Sequence, residues 1–330
     1  MSMALHKMVT PMLQGLRTIP SGRTVNCMQR RIHVSDNVKF KIRPMRTQDL
    51  PTIFQLLNAE KWIMEKAYLD CAFSTDPRGF VLAETTDQQI IGFHGSLSLT
   101  DNLDTLGLWY VKNGYRCSGV GAALVERTIK CPQRNFGTFT WPYLQESIDS
   151  LMKSKTTQTY TTWYNYGQIE QRVERKSKYT EKHLMILPLH HSMLSDVVQY
   201  DTKVHKIPRE SYITNWITHD NSKTYVAVKN DTVCGYAVLR TQDAYTTIAP
   251  LYADDEYIAD ELFLQLASKV SEGRFVNYTS PLENNAGTRL AVRNGLMKRG
   301  MPMLMVFRQE PIYIDINRVF AVSSTSFGLC

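Results

Sequence analysis

Apolar residues along this chain alternate, cluster and recur at helical spacing in an order that predicts its elements. Phe40 to Pro44 reads as an opening strand, and Leu50, Ile53, Phe54, Leu56 and Leu57 fall on one face of a helix over 48–62. A second helical stretch covers 63–72. Phe80 to Glu84 and Ile90 to Leu99, separated by the polar turn 86–89, predict a hairpin. Leu106 to Val111 is dense in apolar and aromatic residues and too short for a helix with its own face, so it is a third strand ended by Asn113 and Gly114. Ala122, Leu124, Val125, Thr128 and Ile129 then predict a helix from Gly121 to the stop at Cys131 and Pro132. A strand over 136–141, a helix over 144–153, a Thr/Tyr-rich strand over 156–166 and a charged connection over 170–182 follow.

The order then repeats. From Val204 onward a helix is expected over 208–216 and strands over 224–228 and 233–240 about Asn230 and Asp231. Next come a strand over 245–249, a helix over 257–270, a strand over 274–279, a helix over 285–293 stopped by Asn294 and Gly295, and a strand over 303–307. The recurrence implies an internal duplication. It divides the chain into a basic extension (1–37), a first domain (38–182), a linker (183–203) and a second domain (204–330).

Between the third strand and its helix lies Arg116-Cys117-Ser118-Gly119-Val120-Gly121. A helix start leaves about four backbone N–H groups without internal acceptors and carries the positive end of the helix dipole, which suits an anion. Glycines at 119 and 121 let an anion reach the backbone, and Arg116 adds a fixed charge that can fork onto phosphate oxygens. The turn lacks the Gly-Lys-Ser/Thr of a Walker loop and the three-glycine spacing of a dinucleotide fingerprint. Arg-x-x-Gly-x-Gly between a strand and a helix resembles the acetyl-coenzyme A pyrophosphate loop of the GNAT N-acetyltransferases.

The resemblance implies an α/β (mixed α+β) fold of two tandem GNAT-like domains, each a twisted, mostly antiparallel sheet flanked by helices. It also implies that Trp109, Tyr110 and Val111 pair with the pantetheine arm, and that Arg116, Cys117, Ser118, Gly119, Val120, Gly121 and Ala122 hold the pyrophosphate. The equivalent turn of the second half, Pro250 to Glu256, has no glycine and places carboxylates at the helix start, so Asp254 or Asp255 is expected to cap that helix and repel phosphate. One donor site per chain follows. The closing stretch from Val319 to Gly328 resembles the tail of the C-terminal half in tandem-GNAT proteins.

In the mechanism the resemblance implies, a bound amine attacks the thioester directly, so no covalent nucleophile is needed. Backbone N–H groups near Tyr110 and Val111 are candidates to polarise the carbonyl. Glu60, Glu84, His94, Asp101, Asp104 and Asp243 are candidates to take the proton. GNAT enzymes often carry a Tyr on the helix at 144–153 to protonate the departing thiolate; here 151–154 has none, leaving Tyr143 or solvent. Glu60, Asp101 and Tyr143 form the expected catalytic set. Trp109, Tyr110, Trp141 and Tyr143 either line an acceptor pocket or belong to the core. The run Asp254, Asp255, Glu256, Asp260 and Glu261 either attracts a cationic amine or forms a capped, solvated helix. The expected activity is acetyl-coenzyme A-dependent N-acetyl transfer to a small amine or amino acid. A non-catalytic acyl-coenzyme A binder and a mitochondrial acyltransferase using a longer acyl donor are the alternatives.

Composition narrows the picture further. With 43% hydrophobic and 21% charged residues, the 330-residue chain is of globular type, and no apolar run approaches the ~18 residues of a membrane span. Of the net charge of +7, five charges fall in the first forty residues, so the remainder is nearly neutral and no nucleic-acid surface is expected. Residues 1–35 hold no Asp or Glu, several Arg and scattered Ser and Thr, the composition of a mitochondrial transit peptide, with Leu5 to Leu16 as an amphipathic segment and removal near Arg30, Arg31 and Ile32. The expectation is a matrix protein; the alternative is a basic arm on a cytoplasmic one. Cysteines 27, 71, 117, 131, 234 and 330 show no ligand spacing, so reduced thiols and no metal are expected.

Overall fold

A computed structural model describes residues 38–60, 62, 64–129, 133–169, 183–242 and 245–327. The basic extension, the charged connection 170–182 and Asp243 lie outside the described residues. The first half runs β1 (Phe40–Pro44), α1 (Leu50–Ala59), α2 (Lys66–Thr75), β2 (Phe80–Thr85), β3 (Ile90–Thr100), β4 (Leu103–Val111), α3 (Val120–Thr128), β5 (Asn135–Thr140), α4 (Gln145–Met152) and β6 (Thr157–Gln168). The second repeats it: β7 (Leu184–Pro188), α5 (Leu194–His205), α6 (Glu210–Ile217), β8 (Ser222–Lys229), β9 (Thr232–Thr241), β10 (Tyr245–Ala253), α7 (Glu256–Ala267), β11 (Phe275–Pro281), α8 (Asn285–Arg293) and β12 (Met297–Phe307). A short β13 (Val319–Ala321) is the last of the described strands.

One expectation is corrected by this repeat. Residues 183–203 are not a linker: β7 pairs antiparallel with β8 from Leu184↔Lys229 to Pro188↔Tyr225, and α5 buries Val197, Tyr200 and Val204. The second half therefore begins about twenty residues earlier than its sequence pattern suggests.

All thirteen strands belong to one sheet, in the order β1-β2-β3-β4-β5-β12-β6-β11-β10-β9-β8-β7, with β13 on β10. The halves exchange their last strands. β12 of the second half lies between β5 and β6, and β6 of the first lies between β12 and β11. The order reads the same from either end, so the halves are related by a pseudo-twofold between β12 and β6. Neither half can complete its sheet alone, because each supplies the strand that covers the edge of the other.

Alternation along the strands puts successive side chains on opposite faces. On one face Leu82, Phe93, Tyr236 and Val238 pack with Ile53, Leu57, Leu69, Val197 and Trp216 from α1, α2, α5 and α6, in a core continuous across both halves. On the other face Val81, Ala83 and Ile91 pack under Val120 and Leu124 of α3, while Ala237, Leu239 and Ile248 pack under Leu262 and Phe263 of α7. Between the halves Tyr68 on α2 meets Trp216 on α6 edge to face at 5.1 Å, and the Arg240 guanidinium lies 3.7 Å over the Trp216 ring. Glu65, at the start of α2, is buried 3.7 Å from Arg240; burial pushes its carboxyl up against the pull of that guanidinium. This charge pair spans the junction of the two halves.

Candidate active site

The site grows from the way β4 and β5 part. They pair in parallel only from Leu103↔Asn135 to Leu106↔Thr138, and among the described residues no strand pairs with Gly107 to Val111 on that side. At the same point β4 bulges: its register with β3 shifts beyond Gly95↔Gly107, and Leu108 takes a left-handed φ of 51°. A left-handed backbone is unusual for a branched aliphatic residue and re-aims the neighbouring amides. The result is a wedge whose apex is at Leu106 and Thr138.

The open end of the wedge leads to the glycine turn. Tyr115 N–H donates to Lys112 O (2.8 Å), and Ser118 Oγ donates to Tyr115 O (2.6 Å), which fixes the bend into α3. Gly119 is the N-cap with φ +85°, and a Cβ built there meets nothing within 4 Å. The first amide to return to the helix start is Ala123 N–H, donating to Gly119 O at 3.0 Å. The amides of Val120, Gly121 and Ala122 thus have no acceptor inside the helix. The open space at Gly119 and three outward amides fit a pyrophosphate. Arg116 turns back toward the wedge, donating from Nε to Val111 O (3.0 Å) and lying 3.3 Å from Glu60.

Of the expected catalytic set, the structure brings Glu60 to the open end, and Tyr143 lies in the turn past the end of β5, the other bank of the wedge. Glu60, at the end of α1, pairs with Arg116, and it raises the Tyr110 phenol together with burial, the larger cause. Tyr143 follows β5 directly and stacks on Trp141 with centroids 6.1 Å apart; burial raises its phenol. Asp101 is not brought there. It sits in the β3–β4 turn, roughly 20 Å from Leu108 at about 3.3 Å per residue of strand.

The other candidates are structural. Asp104 pairs with Arg134 (2.7 Å) and accepts from Ser98 Oγ, and Glu84 is held by Lys41 and Arg43, which keep its carboxyl below the usual range. His94 is buried, its Nδ1 has no partner among the described residues, and burial pushes its pKa down to about 3. Of the four aromatic residues, Tyr110 is core, stacked on Phe93 at 4.8 Å. The acidic run is a capped, ion-paired helix: Asp255 accepts from Ile258 N–H (2.9 Å), Glu256 pairs with Arg289 and Arg293, and Asp254 pairs with Arg318. The expectation of reduced cysteines fails at Cys117, which is disulfide-bonded; Cys71 and Cys234 are free.

A pH response follows from His94 and from His205, which is likewise buried and lowered to about 3. The unfolded chain takes up these protons near pH 6.5 and the folded chain does not, so stability is full above that value and falls as pH drops toward 3. Each histidine contributes a slope of about 1.4 kcal/mol per pH unit. Urea midpoints measured from pH 7 to 4 should decline, and His94→Leu should remove about half of the histidine-dependent slope. An unchanged slope would show that His94 is not held neutral.

The second half has the same wedge, but it is filled. Parallel pairing of β10 and β11 ends at Ile248↔Tyr278, and β13 enters the gap, pairing Leu251↔Ala321 and Tyr252↔Val319 on one bank. Val322 N–H donates to Thr279 O (2.9 Å) on the other. Asp255 caps the helix start as well, so in this half a strand and a carboxylate occupy the two places that stand open in the first. Asp255 was legible in sequence; the β13 plug was not.

Two GNAT-like halves, one wedge open and one closed, give the chain the fold of a tandem GNAT protein. Residues 197–321 match the family model described as an acetyltransferase (GNAT) domain. The chain is 22% identical over 292 residues to the holothin acyltransferase of Pseudoalteromonas sp. (strain SANK 73390), covering 87% of this chain and 94% of that one. Its fold is similar to that of a Pyrococcus horikoshii protein assigned to the acetyltransferases (TM-score 0.68, 15% identity, 90% of this chain and 99% of that one). It is also similar to a tandem GNAT protein from the clavulanic acid biosynthesis pathway (TM-score 0.58, 13% identity, 82% and 98%). Among the described residues no group of three His, Cys, Asp or Glu side chains is placed to hold a metal, and no helix is long and apolar enough to cross a membrane.

Proposed function

We propose that the chain is an acetyl-coenzyme A-dependent N-acetyltransferase whose single donor site is the first-half wedge and whose acceptor is a primary amine on a small molecule or amino acid. The observation that carries this reading is the contrast between the wedges: the one that leads to free helix amides is open, and the one that leads to a carboxylate cap is filled by β13. The amides of Val120, Gly121 and Ala122 bind the pyrophosphate, each contributing roughly 1.5–3 kcal/mol as a hydrogen bond to a charged oxygen. Trp109, Tyr110 and Val111 offer their main chain to the pantetheine arm, and amides re-aimed by the Leu108 bulge polarise the carbonyl. Glu60 takes the ammonium proton so that the amine can attack, and the Tyr143 hydroxyl, kept protonated by burial, returns a proton to the thiolate. Asp101 has no part in this scheme.

A second reading has the donor carry a longer acyl group, since the name of the Pseudoalteromonas relative, an acyltransferase, leaves the acyl length open. Free thiol release from acetyl- and longer acyl-coenzyme A, followed across a panel of primary amines, tests both. Amine-dependent release with acetyl-coenzyme A is expected. Release only with longer donors supports the second reading, and binding without release for any amine marks a non-catalytic binder. The acid-free, Arg-bearing extension supports assignment to the mitochondrial matrix.

A further inference from the structure

We infer that the second half reaches back to close the apex of the first-half wedge, and that Ser326 and Phe327 thereby set how long an acyl group the donor site accepts. This rests on placing the donor as above. Beyond β13 the chain leaves the wedge it fills and crosses toward the other half. Ser323 Oγ lies 3.2 Å from the Tyr212 hydroxyl on α6. Phe327 then lies against the Tyr68 ring of α2, so the tail passes from one helix to the other.

It ends against β4. Phe327 is 2% exposed, and its ring lies 5.6 Å from that of Phe80 and 5.9 Å from that of Tyr68. A Cβ built on Gly107 would come 2.6 Å from Ser326 C and 2.9 Å from Phe327 Cδ1, and one on Gly95 would come 2.9 Å from Phe327 Cζ. Glycine stands at both positions because the tail lies directly on the strands. Gly107 is the first residue of β4 past its last pair with β5, beside the bulge at Leu108.

A donor with its phosphates at Gly119 and its arm running back along Val111, Tyr110 and Trp109 carries its acyl end toward this point. There the chain meets the Ser326 main chain and the Phe327 ring. A two-carbon group stops short of them, whereas each added methylene must displace packed atoms. The open wedge therefore takes its end wall from the half whose own wedge is closed.

Calorimetric titration with acetyl- and hexanoyl-coenzyme A tests this without knowledge of the acceptor. Wild type is expected to bind acetyl-coenzyme A at least about tenfold more tightly than hexanoyl-coenzyme A, the discrimination a filled apolar pocket achieves. Phe327→Ala should abolish or reverse that ratio, and Phe327→Leu should fall between. A merely structural Phe327 would weaken both ligands equally, and an unchanged ratio in the variants would overturn the inference. Should Phe327→Ala not fold, Phe327→Leu decides alone. Failure of wild type to bind either ligand would instead refute the donor site itself.

Discussion

Glutamate in place of Gly119 is expected to abolish acetyl-coenzyme A binding, by 100-fold or more, while the protein stays folded. Gly119 holds φ +85°, where any residue with a Cβ pays roughly 1–2 kcal/mol, but its Cβ would point into open space, so no packing is lost. A carboxylate at a helix N-terminus is electrostatically favourable to the helix, which offsets part of that strain. The same carboxylate lies where the pyrophosphate must sit. Loss of two hydrogen bonds to charged oxygens, at about 1.5–3 kcal/mol each, already exceeds the roughly 3 kcal/mol of a 100-fold change. Gly119→Ala should weaken binding much less, separating backbone strain from bulk and charge. Titration calorimetry checks both variants, and urea unfolding checks the fold. Equal affinity for wild type and Gly119→Glu would place the phosphates elsewhere.

The largest loss of stability is expected from Arg209→Met. Asp201 on α5 is fully buried and accepts from Arg209 Nε and Nη2, both at 2.7 Å, and from the Tyr236 hydroxyl at 2.5 Å. Burial drives its carboxyl up, but the Arg209 charge and the hydrogen bonds from Arg209 and Tyr236 outweigh burial and hold it below the ordinary aspartate range. The charge is therefore sustained inside the core only by its partners. Methionine keeps the apolar stem and removes the counter-charge, which costs about 3–5 kcal/mol for a buried pair. Against a total of about 5–15 kcal/mol this is a large fraction. Urea unfolding should show it, and Asp201→Asn in the same chain should recover part, since a neutral amide no longer needs the guanidinium. Additive losses in the double variant would mean that the two residues do not act as a pair.

These two sites also mark what sequence could reveal. The anion cradle is local, written in Arg116, Gly119 and Gly121 between a strand and a helix, so spacing alone disclosed it. The Asp201–Arg209 pair went unseen because α5 itself did. Its stretch from Leu194 to His205 holds three Val, two Asp, one Thr and one Ser, which favour helix weakly, although Val197, Tyr200 and Val204 carry the period of its buried face. β7 is a five-residue edge strand and β12 begins in Met297-Lys298-Arg299-Gly300, where charge and glycine mask the extended backbone. The exchange of β6 and β12 has no local signature at all, since either strand could pair within its own half. The same holds for β13 and Phe327, whose partners lie 67 to 70 and 247 residues earlier in the chain.

The central claim is that one half holds the donor and the other has given up its wedge to its own chain. Stoichiometry measures this directly. Titration of the intact protein with acetyl-coenzyme A should give one equivalent bound per chain, and none in Gly119→Glu. Two equivalent sites would contradict the account, because the wedge occupied by Val319–Ala321 would then have to bind as well.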